Sequence, residues 1–224
     1  MSSDSFDRDA CDAAKRELAH YCRRFKGDGL SIGTSGNLSV RVGDVVAITP
    51  GSHSYDDIQP DDMCVVTLDG SKVEGDGMVS SEWPMHQSIY ANTKATAVVH
   101  THSPEVVALS TVFSELPAIH YAIANLGGPV RVVEYRRFGS TQLAEGVLDA
   151  LSSRTAAILQ NHGGVTCGSN LVQAYDRSLL LEWLAGVYRL ALQYGDPRIL
   201  TEGELAEVSA EVKRRRYFGS EPNE

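Results

Sequence analysis

The spacing of apolar residues predicts a chain in which helices alternate with short strands. Apolar side chains recur at helical spacing from Phe6 to Phe25, and Gly27 follows as the expected C-terminal cap of this opening helix. Three β-rich segments come next, separated by Gly, Asp and Pro turns: 38–41, 45–48 and 64–67. Because turns separate these segments, we expect them to pair antiparallel.

The rest of the chain predicts longer helices between further strands. The expected elements are a helix at about 82–91, a strand at 98–102, a short helix at 104–109, a strand at 130–134, a helix capped by Thr141, a strand at 156–161, a long helix at 170–194 and a last helix opened by a capping box of Thr201 and Glu204. The long helix should bury one face, formed by Leu180, Leu184, Val187, Ala191 and Tyr194. We therefore expect one mixed α/β domain over residues 1–224, with helices packed on a sheet.

Two histidines close the apolar run that begins at Ala95. Side chains alternate faces along a strand, so His100 and His102 point the same way and could bind one metal ion. Taken alone, the pair fits a solvated strand end or a hydrogen-bonded pair equally well. His162 ends a second apolar run directly before two glycines. Three imidazoles with a fourth position open are typical of a catalytic zinc site.

Three loops have the composition of phosphate-binding loops. Gly33 and Gly36 lie in a turn directly before a strand, where backbone N–H groups can converge on an anion. An ordinary glycine turn explains that segment as well, since neither a Walker motif nor a dinucleotide fingerprint is present. The segment 49–52 is the second loop, and Ser80 with Ser81 precedes a helix N-terminus that favours an anion.

Glu82 stands at the start of the expected helix after the two serines. A carboxylate is common at a helix N-terminus, but here it could also serve as a general base beside the metal. A partly dry cleft would raise its pKa toward neutrality, which suits that role. For His86, one helical turn later, the preferred interpretation is a buried, hydrogen-bonded residue, and the same applies to His20, His53 and His120.

Composition limits the partners and the compartment. The 224 residues carry a formal net charge of −9, which gives no general reason for attraction to nucleic acid or an anionic membrane. The four cysteines are scattered, which favours free thiols in a reducing compartment. The N-terminus is polar and no apolar run approaches the roughly 20 residues that span a bilayer. We expect a cytoplasmic protein without nucleic-acid or membrane partners.

Taken together, the motifs resemble those of class II sugar-phosphate aldolases, in the L-fuculose-1-phosphate aldolase branch of the aldolase, epimerase and adducin-head family. The matching segments, in chain order, are 33–39, 48–52, 80–86, 99–102, 117–121, 138–139 and 160–163. They run through nearly the whole chain, from about residue 6 to residue 217. No single segment is specific, but the set is. The resemblance implies an α/β fold: a single three-layer α-β-α domain with a central, mostly antiparallel sheet flanked by helices.

The resemblance also implies roles for the metal-site residues. His100, His102 and His162 match the three zinc-binding histidines of the family. Glu82 matches the carboxylate that binds zinc at rest and acts as acid and base once substrate displaces it. One Zn²⁺ per subunit would act as a Lewis acid in place of a Schiff-base lysine.

Further roles concern the substrate and the assembly. Thr34, Gly36 and Asn37 match the first phosphate loop, and Ser80 and Ser81 match the second. Relatives usually read Thr-Pro-Thr-Gly or Thr-Pro-Ser-Gly where this chain has Thr-Pro-Gly-Ser at 49–52, so either Gly51 or Ser52 contacts phosphate. Tyr121 resembles a catalytic tyrosine that reaches a neighbouring subunit's site, and Tyr217 one that closes over it. The implied assembly is a homotetramer with active sites between subunits.

The implied reaction is reversible cleavage of L-fuculose 1-phosphate, or a similar 1-phosphoketose, to dihydroxyacetone phosphate and an aldehyde such as L-lactaldehyde. A 5-deoxyribulose-1-phosphate aldolase would share every residue named. A ribulose-5-phosphate 4-epimerase usually has aspartate after the paired serines, so Glu82 favours an aldolase. A non-catalytic adducin-like module would lack a complete metal set, and a metal-dependent hydrolase would not need the phosphate loops.

Overall fold

A computed structural model describes residues 7–215 and forms one open sheet with helices on both faces. The strands are β1 (Asn37–Val42), β2 (Val45–Ile48), β3 (Cys64–Thr67), β4 (Lys72–Glu74), β5 (Ala97–Thr101), β6 (Glu115–Leu116), β7 (Val130–Val133), β8 (Ala156–Leu159) and β9 (Gly163–Gly168). The helices are α1 (Arg8–Arg24), α2 (Trp83–Asn92), α3 (Pro104–Ser110), α4 (Thr141–Ala150), α5 (Leu171–Leu192) and α6 (Glu202–Arg215), with 3₁₀ turns at Pro60–Asp62 and Tyr121–Leu126.

The strand order across the sheet is β4-β3-β2-β1-β5-β9-β8-β7-β6. Among the described strands only the β7–β8 pair is parallel, and α4 forms the crossover between those two strands. The antiparallel pairing predicted after the first helix is confirmed for β1–β2, which a short turn joins, and for β2–β3, which are connected by the longer segment 49–63. The expected architecture, a mostly antiparallel sheet between two helical layers, is therefore confirmed.

Each face of the sheet has its own apolar layer. On one face, α2 and α4 cover the sheet through Trp83, Ile89 and Val147, which cluster with strand residues such as Val98. On the other face lie α1, α3 and α5, with Leu18 of α1 in a second cluster and a third cluster beneath α3. The apolar faces of the helices pack on both sides of the sheet and hold the strands in place. The strand ends that carry the polar residues are held with them.

Several local predictions are wrong at the level of single residues. The first helix ends at Arg24, and the left-handed residue after it is Gly29 rather than Gly27. The cap of α4 is Ser140, whose hydroxyl accepts from the Leu143 N–H, and not Thr141. The capping box of Thr201 and Glu204 is confirmed.

The buried face of α5 also differs from the predicted one. Of the predicted residues only Leu184 is buried, and Tyr194 is 92% exposed. The buried positions of this helix are Leu171, Ala174, Tyr175, Ser178, Leu181, Leu184 and Ala185. The helix contacts both β9 and α3, so apolar residues lie around much of its circumference. The apolar pattern alone therefore does not indicate which face is the most buried.

Strand β9 is absent from the sequence-based prediction, although it lies in the centre of the sheet. Its two opening glycines, Gly163 and Gly164, pair with Leu159 and Ile158 of β8. A Cβ at Gly163 would stand 2.0 Å from the Thr101 carbonyl oxygen. Glycine is therefore required here for close approach of two backbones rather than for turning the chain.

Candidate metal centre and substrate pocket

Strand β5 delivers two histidines to one end of the sheet. His100 is the penultimate residue of the strand and is fully buried, while His102 lies directly after the strand end. Their Nε2 atoms are 3.0 Å apart. The alternation of an extended chain thus places both rings on the same side, as the sequence predicted.

His162 reaches the same point from the turn between β8 and β9. The turn is tight, with Asn161 at a φ of 56°, and the Asn161 N–H donates to the Ser110 hydroxyl at 2.9 Å. The centroid of the His162 ring lies 4.8 Å from that of His100 and 4.9 Å from that of His102. The three predicted histidines therefore form one compact group.

Glu82 completes this group from the N-terminus of α2. Its carboxylate is buried, with Oε2 at 2.9 Å from His100 Nε2 and Oε1 at 3.3 Å from His162 Nε2. The Asn37 side-chain amide donates to Oε2 at 3.1 Å. Oε1 is buried and accepts no hydrogen bond.

The four side chains fit a divalent transition-metal ion. One donor atom from each of Glu82, His100, His102 and His162 can be chosen so that all lie within 4.8 Å of one another. The Gly164 carbonyl can only accept, so His100 donates to it through Nδ1 at 2.9 Å and turns Nε2 toward the cluster. The unpaired Oε1 of Glu82 has the partner it needs if a cation is bound. Imidazole nitrogen with one carboxylate is a donor set that zinc accepts.

The protonation states of the cluster follow from burial and from mutual contact. Burial, with the neighbouring histidines, lowers the pKa of His102 to about 3 and that of His162 to about 4, so both rings are neutral and able to bind a metal. Burial opposes ionisation of Glu82, but His100 and then His162 outweigh it and hold the Glu82 pKa well below its ordinary value. The expected rise of this pKa toward neutrality is therefore wrong, because the carboxylate faces imidazoles rather than apolar walls.

The cluster lies at the bottom of a pocket of about 460 Å³. Gly33 of the first loop does not line it, but the described residues that match the family's phosphate loops do, together with Glu82, His102 and His162. They are Thr34, Gly36, Asn37, Gly51, Ser52, Ser80 and Ser81. The Ser80 hydroxyl accepts from the Glu82 N–H at 3.3 Å, which ties the serine pair to the helix that carries the carboxylate.

Two glycines hold the loops against the metal cluster. Gly36 has a φ of +82°, and a Cβ there would lie 2.7 Å from the His100 carbonyl oxygen. Gly139 has a φ of +68°, and its Cβ would lie 2.5 Å from the Ser81 carbonyl oxygen. Both positions combine a left-handed conformation with backbone contact, so a side chain there would displace a loop.

The structure distinguishes the two residues in the 49–52 loop. The Gly51 N–H donates to the Met78 carbonyl at 2.8 Å and is thereby occupied. Ser52 has a φ of 58°, an unusual conformation for a residue with a side chain. Such strain at a pocket wall is typical of a binding loop.

The tyrosines lie apart from this pocket. Tyr121 opens the 3₁₀ turn at Tyr121–Leu126, is 56% exposed and does not line the pocket of its own chain. Its ring contacts that of His120. Tyr217 lies outside the described residues.

The remaining histidines divide by burial. His86 is fully buried and hydrogen-bonded, as expected. His53 and His120 are half-buried, whereas His20 is exposed, so the expectation of burial fails for His20.

The pocket also has walls that the sequence did not indicate as a binding surface: Tyr135, Arg136, Phe138 and Asn161. Of these, Phe138 and Asn161 lie within the family segments 138–139 and 160–163, whereas Tyr135 and Arg136 carried no signal.

Comparisons with known proteins agree with this geometry. The family described as Class II Aldolase and Adducin N-terminal domain matches residues 16–189. The L-fuculose phosphate aldolase of Escherichia coli K12 is 36% identical over 201 residues, which are 88% of this chain and 93% of that protein. The 5-deoxy-D-ribulose 1-phosphate aldolase of Bacillus thuringiensis is 34% identical over 198 residues, or 87% of this chain and 93% of that protein.

A solved structure has the same fold. An L-fuculose 1-phosphate aldolase superposes with a TM-score of 0.87 at 33% identity and covers 95% of this chain and 100% of its own. The sequence match, the shared fold and the complete cluster of three histidines and a glutamate lead to one assignment. The chain belongs to the class II aldolase and adducin N-terminal domain family and is a metal-dependent aldolase, a carbon–carbon lyase.

Proposed function

We propose that this chain is a zinc-dependent aldolase that cleaves a 1-phosphoketose to dihydroxyacetone phosphate and an aldehyde, with L-fuculose 1-phosphate as the first candidate substrate. The observation that carries this proposal is the position of Glu82 and the three histidines at the bottom of a pocket walled by glycine- and serine-rich loops. A sugar phosphate placed there has its carbonyl end at the metal donors and its phosphate at the loops.

The residues of the chain supply proton transfer next to that site. When bound, zinc acts as a Lewis acid toward the carbonyl and adjacent hydroxyl oxygens of the substrate. In cleavage, the hydroxyl on the far carbon loses its proton and becomes the aldehyde oxygen as the carbon–carbon bond beyond the carbonyl breaks, and Glu82, once it has taken up a proton, passes it to the carbon left on the dihydroxyacetone phosphate half. In synthesis, Glu82 removes that proton, and its lowered pKa means that it is ionised when it does so. A positioned acid or base of this kind contributes about 10²–10⁴ in rate.

The phosphate end is held by neutral groups. Thr34, Asn37, Ser80 and Ser81 offer hydroxyl and amide donors along the pocket. Of the two residues at the turn of the 49–52 loop, Ser52 is the proposed contact, because the Gly51 N–H already donates to Met78. These groups fix the non-reacting end of the substrate and so orient the reacting carbon.

Other activities are supported less well. The complete donor set argues against an adducin-like module without catalysis. Glutamate rather than aspartate after the serine pair argues against the epimerase reaction. A 5-deoxyribulose-1-phosphate aldolase is the second candidate, since a relative with that printed activity is 34% identical and one that acts on L-fuculose phosphate is 36% identical.

The decisive experiment offers a panel of phosphoketoses to the purified zinc-loaded protein and follows dihydroxyacetone phosphate release with a coupled dehydrogenase. We expect turnover of fuculose 1-phosphate and about a 10²–10⁴-fold loss in Glu82→Gln. Selective cleavage of 5-deoxyribulose 1-phosphate would replace the first candidate with the second. Full activity of Glu82→Gln would contradict the mechanism, and inactivity of the native protein on every 1-phosphoketose would contradict the proposed function.

The proposal extends to a homotetramer with one zinc ion per subunit, in which Tyr121 of one subunit polarises the aldehyde oxygen in the site of the next. Its exposure and its position away from the pocket of its own chain support this assignment. Co-expression tests it, because Tyr121→Phe and Glu82→Gln subunits together can form sites with both native residues. We expect the mixture to regain activity that neither variant has alone, and no recovery would contradict the shared site.

We also propose that the protein acts in the cytoplasm. The four cysteines are free and buried, as a reducing compartment allows. Among residues 7–215, no helix combines the length and apolar character needed to cross a membrane. Fractionation of cells that produce the protein, followed by immunodetection, tests the compartment.

A further inference from the structure

A line of buried polar side chains runs from the interior of the molecule to Glu82. It consists of Tyr90, Ser39, His86 and Asn37, which are 2%, 0%, 0% and 5% exposed. Asn37 and Ser39 alternate onto one face of β1, while His86 and Tyr90 lie one helical turn apart on α2. The strand and the helix therefore face each other through polar groups in a layer that is otherwise apolar.

The four residues are joined by short contacts. Tyr90 Oη lies 2.6 Å from Ser39 Oγ, and Ser39 Oγ lies 2.6 Å from His86 Nδ1. His86 Nε2 lies 2.5 Å from Asn37 Oδ1, and Asn37 Nδ2 lies 3.1 Å from Glu82 Oε2. Every link is within hydrogen-bonding distance, so the line is continuous from Tyr90 to the carboxylate.

The donor directions in this line follow from chemistry at its Glu82 end. An ionised carboxylate can only accept, so the Asn37 atom beside it is the amide nitrogen. The Asn37 oxygen then faces His86, which must donate through Nε2. Burial lowers the pKa of His86 to about 3, so the ring is neutral and its Nδ1 must accept.

The same logic continues away from the site. Because His86 Nδ1 accepts, Ser39 donates to it. The Ser39 hydroxyl has a single hydrogen, so its contact with Tyr90 uses the tyrosine O–H as donor. All four hydrogen bonds are therefore oriented in one consistent pattern, and each fixes the next group along the line.

We infer that His86 is a positioning residue for Glu82: it fixes the orientation of the Asn37 amide, which in turn fixes one carboxylate oxygen and leaves the other, Oε1, directed at His162. The catalytic part of this inference rests on the proposed function. Without the His86 donor, the buried Asn37 oxygen has no partner, and the amide can turn away from the Glu82 carboxylate to find one. Glu82 would then lose the hydrogen bond that holds Oε2 in place and leaves Oε1 directed at His162.

The chain offers a matched pair of substitutions at this position. In His86→Gln the amide nitrogen can occupy the place of Nε2 and still donate to Asn37. In His86→Asn the shorter side chain can bond Ser39 but does not reach Asn37. Loss of a hydrogen bond that supports a metal ligand costs about ten- to hundredfold in activity or metal affinity. We expect that loss in kcat for His86→Asn, little change in KM, and substantial recovery in His86→Gln.

A second measurement does not depend on activity. Two-bond ¹H–¹⁵N NMR spectra of full-length protein labelled with ¹⁵N-histidine distinguish imidazoles protonated at Nε2 from those protonated at Nδ1. The signal that disappears in His86→Gln belongs to His86, and we expect a neutral ring protonated at Nε2. Ser39→Ala removes the donor to Nδ1 and should shift the resonance of that nitrogen, with and without added zinc.

Three results would overturn the inference. One is a His86 ring protonated at Nδ1 or at both nitrogens. Another is a His86→Asn variant with a lowered melting temperature but native kcat per folded, zinc-loaded molecule, which would indicate a purely structural role. The third is a His86→Gln variant that retains as little kcat as His86→Asn. If the native protein cleaves no phosphoketose, the proposed function fails, while the NMR result still decides the hydrogen-bond pattern.

Discussion

The bottom and the rim of the pocket are built on opposite principles. The bottom consists of Glu82, His100, His102 and His162, of which the first two are buried and the others nearly so. The rim consists of the loop residues Thr34, Ser52 and Ser81 and the aromatic Phe138, which is 57% exposed. Bottom side chains are held by buried partners such as the Gly164 carbonyl, whereas rim side chains face solvent.

This difference separates the two tasks of an aldolase. Metal binding needs donor atoms fixed to within a fraction of an ångström, and strand ends with buried supports provide that. Substrate binding needs a surface that a sugar phosphate can reach without disturbing the metal donors, and exposed loops provide that.

The largest expected effect comes from removing a ligand at the bottom. His102→Ala should weaken zinc binding by more than the ten- to hundredfold that loss of a supporting hydrogen bond costs, since the donor itself is gone. Zinc content after dialysis against a competing chelator measures this. Ser52→Ala is the matched rim variant and should keep its zinc. Equal loss of zinc in both would erase the distinction between bottom and rim.

A second test asks how rigid the bottom is. Gly163→Ala places a Cβ against the Thr101 carbonyl, so β9 must move away from β5 and the protein should lose about 1–3 kcal/mol in the free energy of unfolding. Urea unfolding followed by circular dichroism measures the change. Gly27→Ala, where the nearest atom is 3.5 Å away and φ is not positive, should leave stability almost unchanged. An unaltered Gly163→Ala would mean that the strands adjust freely.

A third substitution probes the rim alone. Ser81→Ala removes a proposed phosphate donor, and a hydrogen bond to a charged group is worth about 1.5–3 kcal/mol, so KM should rise about tenfold or more. Zinc content should stay native. Steady-state kinetics on the preferred phosphoketose provide the measurement. A fall in kcat and zinc content with unchanged KM would place Ser81 with the bottom instead.

The smallest effect concerns pH and the buried layer behind the bottom. The pKa of His86 is about 3 in the folded chain and about 6.5 when unfolded, so below the higher value the unfolded state binds more protons and stability falls as pH falls. Between pH 7.5 and pH 6 this group alone should cost about 0.8 kcal/mol. Thermal unfolding of the metal-free native protein and of His86→Gln gives the two slopes. Parallel slopes would show that His86 does not titrate differently on folding.

The sequence predicted the residues of the clustered metal-site candidate because their signal is local. His100 and His102 share a face by strand alternation, and Glu82 stands at a helix start after two serines. The loops were recognisable for the same reason, since Gly36 and Ser80 lie within short motifs. The helices and most strands followed from periodicity, with errors mainly at caps such as Ser140.

What could not be predicted depends on contacts between distant segments. Strand β9 was not predicted because, in a sequence, a glycine that permits close packing of two strands cannot be distinguished from a glycine that permits a turn. The depressed pKa of Glu82 depends on where His100 and His162 arrive in space. The link from His86 to Asn37 joins residues 49 positions apart, and no local pattern connects them.

The two ends of the sheet have a consequence for how this chain behaves at high concentration. The terminal strands are β4, with three residues that include Lys72 and Glu74, and β6, with two residues. Strands this short, one of which carries charged side chains, leave few unpaired backbone N–H and C=O groups with which another sheet could pair. A nine-stranded open sheet would otherwise invite fibrous aggregation. If copies associate, the contacts would involve helices and loops, where assembly can end at a closed number of subunits rather than continue without limit.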